Sequence, residues 1–360
     1  MPCKLGIPTS SLGHVSAGHT LTTKLDAAQA NGYQGVEITY DELFAVATRH
    51  HHHRATEPVT MQDQLRAAGS IQTSCQSRGL AIICLQPFMQ YEGLANRMAH
   101  EGGFARLLTW IQLARALGTD LIMMPANSLP VRELTDGLGL AVKDLQRAAD
   151  AGVQQPGGGG TVRFAYEPRC SATRVDRWEF GWDVVERVGR PNFGLCLDTF
   201  HMAGLYFADP AVPSGLMPGG DQAVRMSMRR LVERVKAHRD KIFLVQMGDA
   251  RRPDEPIVPG NPEYDPKQTP RAVWSVWYRL LYGEEARGGY LPVREISEAI
   301  FSGVGYEGWV SMELFSRRMD CEDPKVPMEL ARRGAIAWRK LARDMGWWPT
   351  LPNIKTSAVC

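Results

Sequence analysis

Short apolar runs alternate with longer segments of helical periodicity along the whole chain, and this alternation constrains the fold more than any other feature. The runs are CKLGIPT (3–9), GVEITY (35–40), LAIICLQ (80–86), DLIMMPA (120–126), VRFAYEP (162–168), FGLCLDT (193–199), KIFLVQM (241–247) and WVSMELF (309–315). Most are too short for helices, and most begin just after a Gly, Asp, Asn or Lys boundary. Helical spacing fills the gaps, as in residues 20–32 and 104–118, which end on Gly32 and Gly118. Residues 175–189 and 222–238 repeat the theme, and a helix over 323–345 closes the series.

Strand followed by helix, eight times, predicts a closed parallel (β/α)8 TIM barrel in a single domain, residues 1–360. An open doubly wound sheet is the competitor, but it usually has about five to seven strands and often a Gly-rich phosphate turn after the first. Here the first run leads into TSSLG instead. Three segments depart from the repeat. RHHHHRA (49–55) lies in the second strand-to-helix connection and reads as a solvated loop, because the adjacent histidines His50 to His53 do not share one face. QQPGGGG (154–160) reads as a flexible, hairpin-like link. Residues 248–291 form a long insertion after the seventh strand. Connections that follow barrel strands build the active-site face, so this insertion is a candidate lid.

Composition narrows the function classes. Hydrophobic residues make up 44% and charged residues 22%, an ordinary globular balance. A net charge of +2 supplies no field for a polyanion, which argues against nucleic acid as the main partner. The seven cysteines are scattered and form no CxxC pair, so neither a disulfide framework nor a structural zinc site is expected. The opening MPCKLGIPTSSLG has no apolar core for a signal peptide, and no segment approaches the ~20 apolar residues of a membrane span. A cytoplasmic protein without a membrane partner is expected, and homo-oligomerisation is compatible with the sequence.

Four of the later runs end in a metal-capable side chain: Glu167 in AYEP, Asp198 in CLDTFH, Gln246 in LVQMGD and Glu313 in SMELF. In a barrel all four converge. Taken singly, each could be a salt bridge or a cap at a loop start. Three carboxylates in one partly buried place repel each other unless a cation holds them. Oxygen ligands without cysteine suit a hard divalent ion, Mg²⁺ or Mn²⁺ first, with Co²⁺ a further candidate. His201, three residues after Asp198, overhangs that site as a general base or acid, or caps the following helix. Arg169 is open between a substrate oxygen and a neighbouring acid, and Glu37 between the pocket wall and a salt bridge at the core rim. Trp274, Trp277 and Tyr278 read as lid packing, and Glu92-Gly93 as a helix start.

These motifs together carry a family resemblance. AGHTLTTKLDAAQANGYQGVEITYDEL, IICLQPFMQYEGL, ALGTDLI, LCLDTFHMAG, FLVQMGDA, RLLYGEEARGGYLPV and GWVSMELF are spread over most of the chain. It resembles the fungal-type 3-dehydroshikimate dehydratases of the xylose isomerase-like barrel superfamily. The resemblance implies a divalent metal held by Glu167, Asp198, Gln246 and Glu313, a catalytic His201, and substrate contacts from Ser275 and Arg279 in WSVWYR. The implied reaction converts the small-molecule substrate 3-dehydroshikimate to protocatechuate and water. Bacterial relatives carry a substrate-contacting arginine after QPF, where this chain has Met89 and then Gln90. Bacterial members are also often fused to a dioxygenase-like domain, and no such extension is expected here. Rival readings are a sugar or keto-sugar isomerase or epimerase on the same barrel, an abasic-site endonuclease, which needs more histidine ligands and a basic face, and a metal-free binding barrel.

Overall fold

The first strand of the chain hydrogen-bonds to the last and closes a parallel eight-stranded barrel. The strands are β1 (Lys4–Pro8), β2 (Gly35–Thr39), β3 (Ala81–Gln86), β4 (Leu121–Pro125), β5 (Arg163–Glu167), β6 (Phe193–Asp198), β7 (Ile242–Met247) and β8 (Trp309–Met312). Closure pairs Lys4 with Trp309, Leu5 with Val310 and Gly6 with Ser311. This computed structural model describes residues 1–51, 58–153 and 160–347. The 154–160 link therefore lies almost wholly outside the described residues.

The barrel interior is filled by Ile83, Cys84, Leu121, Met123, Ala165, Cys196, Phe243 and Leu244, with Trp309 against them. This packed plug leaves the polar chemistry only the C-terminal rim. Glycine is used where strands approach closely: a Cβ on Gly194 would stand 2.3 Å from the Lys241 carbonyl oxygen.

The outer helices form where the spacing places them, with local caps. The helix Arg97–Leu117 begins at Asn96, whose side chain accepts from Ala99 N, and ends at Gly118 with φ 76°. Trp178 opens the helix Trp178–Val188 and donates its indole N–H to Ser227 Oγ at 2.7 Å, tying that helix to the helix Gly220–Val235. The closing helix (Val326–Asp344) accepts the Tyr33 hydroxyl at the Ala331 carbonyl, 3.0 Å away. Among the described residues no helix is long and apolar enough to cross a membrane.

One connection differs from expectation, and the long insertion shows its internal structure. The 49–55 segment is not simply a loop, because a helix (Tyr40–His51) runs on from β2 and includes His50 and His51. A second helix (Met61–Gln76) then precedes β3, with Thr60 and Asp63 forming a capping box. The polyhistidine hid the helix because its periodicity has no apolar face, whereas Leu43, Val46 and Ala47 before it supply one. His52 and His53 lie outside the described residues. The insertion after β7 is ordered. Asp249–Ala250 pairs antiparallel with Arg279–Leu280, and a short helix (Pro270–Trp277), capped by Thr269, packs over the barrel mouth.

Candidate active site

The strand-end rule holds because a parallel barrel starts and stops its strands in register. Pro125 pairs with Glu167, Asp198 with Gln246, and Gln246 with Ser311 two residues before Glu313. Glu313 stands one residue beyond β8, its N–H donating to the Met247 carbonyl at 3.0 Å. All four predicted side chains are buried and meet at the C-terminal end of the barrel.

They are joined by Glu37, fully buried beneath the cluster and, among the described residues, without a salt bridge. Its carboxylate accepts from Gln86 Nε2 at 3.0 Å, Cys84 Sγ at 3.3 Å and Gln246 Nε2 at 3.1 Å. Gln246 Nε2 also donates to Glu313 Oε1 at 3.0 Å, while its Oε1 faces the Cys196 thiol at 3.3 Å. Burial pushes the Glu37 and Glu313 carboxyls above the ordinary range. Burial, then repulsion from Asp198, pushes Glu167 up to about 8. A cluster of buried acids with so little compensation is strained towards protonation unless positive charge enters it.

Arg279 supplies part of that charge. Its Nη1 donates to Asp198 Oδ2 at 2.6 Å and to Glu313 Oε2 at 2.7 Å. Nη2 meets His201 Nε2 at 3.0 Å, and Nε donates to the Ser275 carbonyl at 3.1 Å. The guanidinium also lies against the Phe200 ring, 4.1 Å from its centroid. Gly248 permits this approach, since a Cβ there would stand 3.4 Å from Arg279 Nη1 and 3.2 Å from Phe200 Cβ. Arg279 thus reaches the acid cluster directly, through ion pairs with Asp198 and Glu313. The Ser275 hydroxyl donates to Ala272 O within its own helix at 2.7 Å, leaving its lone pairs to the cavity.

His201 is buried between these groups. Nε2 lies 3.6 Å from Asp198 Oδ2 and 3.9 Å from Glu167 Oε1, and Nδ1 lies 3.3 Å from Cys170 Sγ. Burial, then the charges of Arg279 and Arg169, holds the imidazole well below its ordinary pKa. It is a neutral ring at neutral pH, as a base must be. Asp198 does cap the following helix, its Oδ1 accepting from Phe200 N at 2.8 Å, whereas His201 does not.

A cavity of about 250 Å³ opens onto this cluster, lined by Glu167, Arg169, His201, Ser275, Arg279 and Glu313 among others. Met89 gives it an apolar wall, with Phe315 on the rim. A larger cleft of about 660 Å³ adjoins it through Gln86, Pro87 and Phe315 and reaches the buried Lys24–Glu42 ion pair. Glu92 is not a helix start; it is buried, and its carboxylate accepts from Asn127 N at 2.7 Å and the Tyr166 hydroxyl at 3.1 Å. Trp274 packs on Phe200 at 4.6 Å between centroids, a lid wedge rather than a pocket wall. Cys170 was not singled out by sequence. The signal was the repeated spacing: Cys170 follows Glu167 by three residues as His201 follows Asp198.

Glu167, Asp198 and His201 offer ligand atoms within 4.8 Å of one another, a group able to hold a metal ion. The model of the xylose isomerase-like TIM barrel matches residues 25–341. The chain belongs to the xylose isomerase-like TIM barrel family. Within that family it is 49% identical to the 3-dehydroshikimate dehydratase of Neurospora crassa, over 99% of this chain and 100% of the relative. Among solved structures of similar fold, a xylose isomerase-like TIM barrel/4-hydroxyphenylpyruvate dioxygenase fusion protein superposes with TM-score 0.68 at 24% identity. The match covers 98% of this chain and 45% of the fusion protein. The IolI protein, solved with a bound zinc atom, matches with TM-score 0.64 at 16% identity over 97% of this chain and 100% of that one.

Proposed function

We propose that this chain is a hydro-lyase that converts 3-dehydroshikimate to protocatechuate and water, assisted by a divalent cation. The observation that carries the reading is a neutral, buried histidine beside an undercompensated acid cluster on one ligand-sized cavity, in a chain so similar to a 3-dehydroshikimate dehydratase along its whole length.

The donor set fits a hard cation: buried carboxyl oxygens of Glu167, Asp198 and Glu313, with only guanidinium groups to oppose them. Gln246 would complete the set after turning its amide oxygen from Cys196. Such an ion, Mg²⁺ or Mn²⁺ by this oxygen chemistry, would stabilise negative charge developing on the ketone oxygen. The chain's own groups do the proton work. The C4 proton is acidified by the C3 ketone, and the C5 hydroxyl is beta to it. His201 Nε2 takes the C4 proton once Arg279 Nη2 yields the lone pair it now occupies. The imidazolium so formed lies 3.6 Å from Asp198 and 3.9 Å from Glu167, which stabilise its charge. The same nitrogen returns the proton to the C5 oxygen, which leaves as water. Loss of the C6 proton and protonation of the C3 oxygen then aromatise the ring. The Pro270–Trp277 helix walls one side of the cavity through Ser275 and Val276, which limits the access of bulk water to the reacting carbon.

Incubation of the purified protein with 3-dehydroshikimate and Mg²⁺ should generate the ultraviolet absorbance of a catechol acid. No product under metal-replete conditions would sink the assignment.

A further inference from the structure

We infer that Arg169 is the anchor for the substrate's ring carboxylate. The inference rests on the reaction proposed above, and it starts from a charge left over in the cavity. Two arginines line that cavity, Arg169 and Arg279. Arg279 is spent: Asp198, Glu313, His201 and the Ser275 carbonyl take all three of its nitrogens. Accepting a substrate carboxylate there would mean surrendering a buried ion pair.

Arg169 is held but not neutralised. Its Nη2 donates to the Ala126 carbonyl at 3.2 Å and to Ser128 Oγ at 3.0 Å, neutral acceptors on the loop after β4. Its Nε is buried and has no hydrogen-bond partner among the described residues. Nη1 likewise has no protein acceptor among them, and no nitrogen of Arg169 meets a carboxylate within ion-pair distance. A buried donor left without an acceptor costs about 1–3 kcal/mol. With Nη2 occupied, the remaining Nε and Nη1 donors point to different sides of the guanidinium, so a carboxylate here is met by a single charge-assisted hydrogen bond and the uncompensated charge.

The substrate's chemistry places a carboxylate where this unneutralised guanidinium borders the cavity. In 3-dehydroshikimate the carboxylate is on C1, para to C4, across the ring from the atoms that react. Its anchor must therefore border the cavity without belonging to the acid cluster. Arg169 does so, because Ala126 and Ser128 draw its guanidinium to the β4 side of the rim. Met89, which also lines the cavity, offers no donor. The rigid tether to β4 leaves little side-chain freedom to lose on binding.

The test compares two ligands that differ by the carboxylate alone. Binding of protocatechuate and of catechol is measured by calorimetry with Mg²⁺ present, in the wild type, Arg169→Met and Arg169→Lys. The wild type should prefer protocatechuate by about tenfold or more, as for a charged hydrogen-bonded pair. Arg169→Met should abolish the preference while binding catechol as before, and should raise KM for 3-dehydroshikimate more than it lowers kcat. Arg169→Lys, which keeps the charge and loses the planar guanidinium with its tether to Ala126 and Ser128, should restore part of the preference. A preference that survives in both variants would overturn the inference and point to the adjoining cleft at Lys24. Equal loss of both ligands would overturn it in favour of a purely structural role. Wild-type turnover is recorded alongside: its absence overturns the reaction and this anchor together, whereas turnover with an unchanged preference overturns the anchor alone.

Discussion

His201 Nε2 and Arg279 Nη2 stand 3.0 Å apart, and that contact fixes which tautomer the neutral histidine adopts. A guanidinium can only donate, so Nε2 presents a lone pair and the ring proton sits on Nδ1, facing the Cys170 sulfur at 3.3 Å. The thiol, pushed up to about 12 by burial, stays protonated and serves as a weak acceptor. His201 is thus held in the tautomer that aims its unprotonated nitrogen at the acid cluster.

Replacing His201 by Ala should lower kcat by roughly 10²–10⁴-fold, the usual contribution of a positioned base. Affinity for Mg²⁺ or Mn²⁺, measured by calorimetry, should change far less. A comparable collapse of metal affinity would make His201 a ligand instead of the base.

Arg279 bridges two buried carboxylates, so its loss should leave them facing each other uncompensated. Arg279→Met should cost about 3–5 kcal/mol in urea unfolding without divalent ions. Added Mn²⁺ should recover more stability in this variant than in the wild type, because the ion then meets no competing guanidinium. Equal Mn²⁺ responses in the two proteins would contradict this competition.

Removal of the cation should abolish turnover and lower the melting temperature, and readdition should reverse both. At an ion concentration of about a hundred times Kd the stabilisation is about 2.7 kcal/mol. Glu167→Ala should lose that stabilisation. A melting temperature in Glu167→Ala that still rises with Mg²⁺ as in the wild type would remove Glu167 from the ligand set.

Glu92 predicts a pH dependence outside the reacting cluster. Burial pushes its carboxyl from the ordinary 4.5 up to about 7 in the folded protein. Between those values the folded state holds a proton that the unfolded state has lost, so stability falls as pH rises through this window. The cost is absent below about pH 4.5 and reaches the order of 3 kcal/mol above about pH 7. Glu92→Gln keeps an acceptor for Asn127 and Tyr166 without the titration. Its stability relative to wild type should therefore grow between about pH 5 and 8 by that order. Parallel urea-unfolding curves for the two proteins would refute this.

The barrel and its strand-end acids were legible in the amino-acid order, because an apolar run that ends in Glu167, Asp198 or Glu313 reports where a strand stops. Parallel closure then brings those ends together without further information. Local order also exposed His201 through its distance from Asp198. It did not expose the helix running into His50 and His51, since polyhistidine has no periodic signature of its own. Nor did it show that Arg279, 81 residues beyond Asp198 and 34 before Glu313, binds both. That contact depends on the path by which the insertion returns over the barrel, and on Gly248 leaving room. The same holds for Arg169: sequence left it open between an acid and a substrate. Only the folded chain shows it tethered to Ala126 and Ser128 with a buried donor unpaired. Periodicity along one element determined which side chains reach the rim. Distances between elements decided which of their charges are already spent and which remain for a ligand.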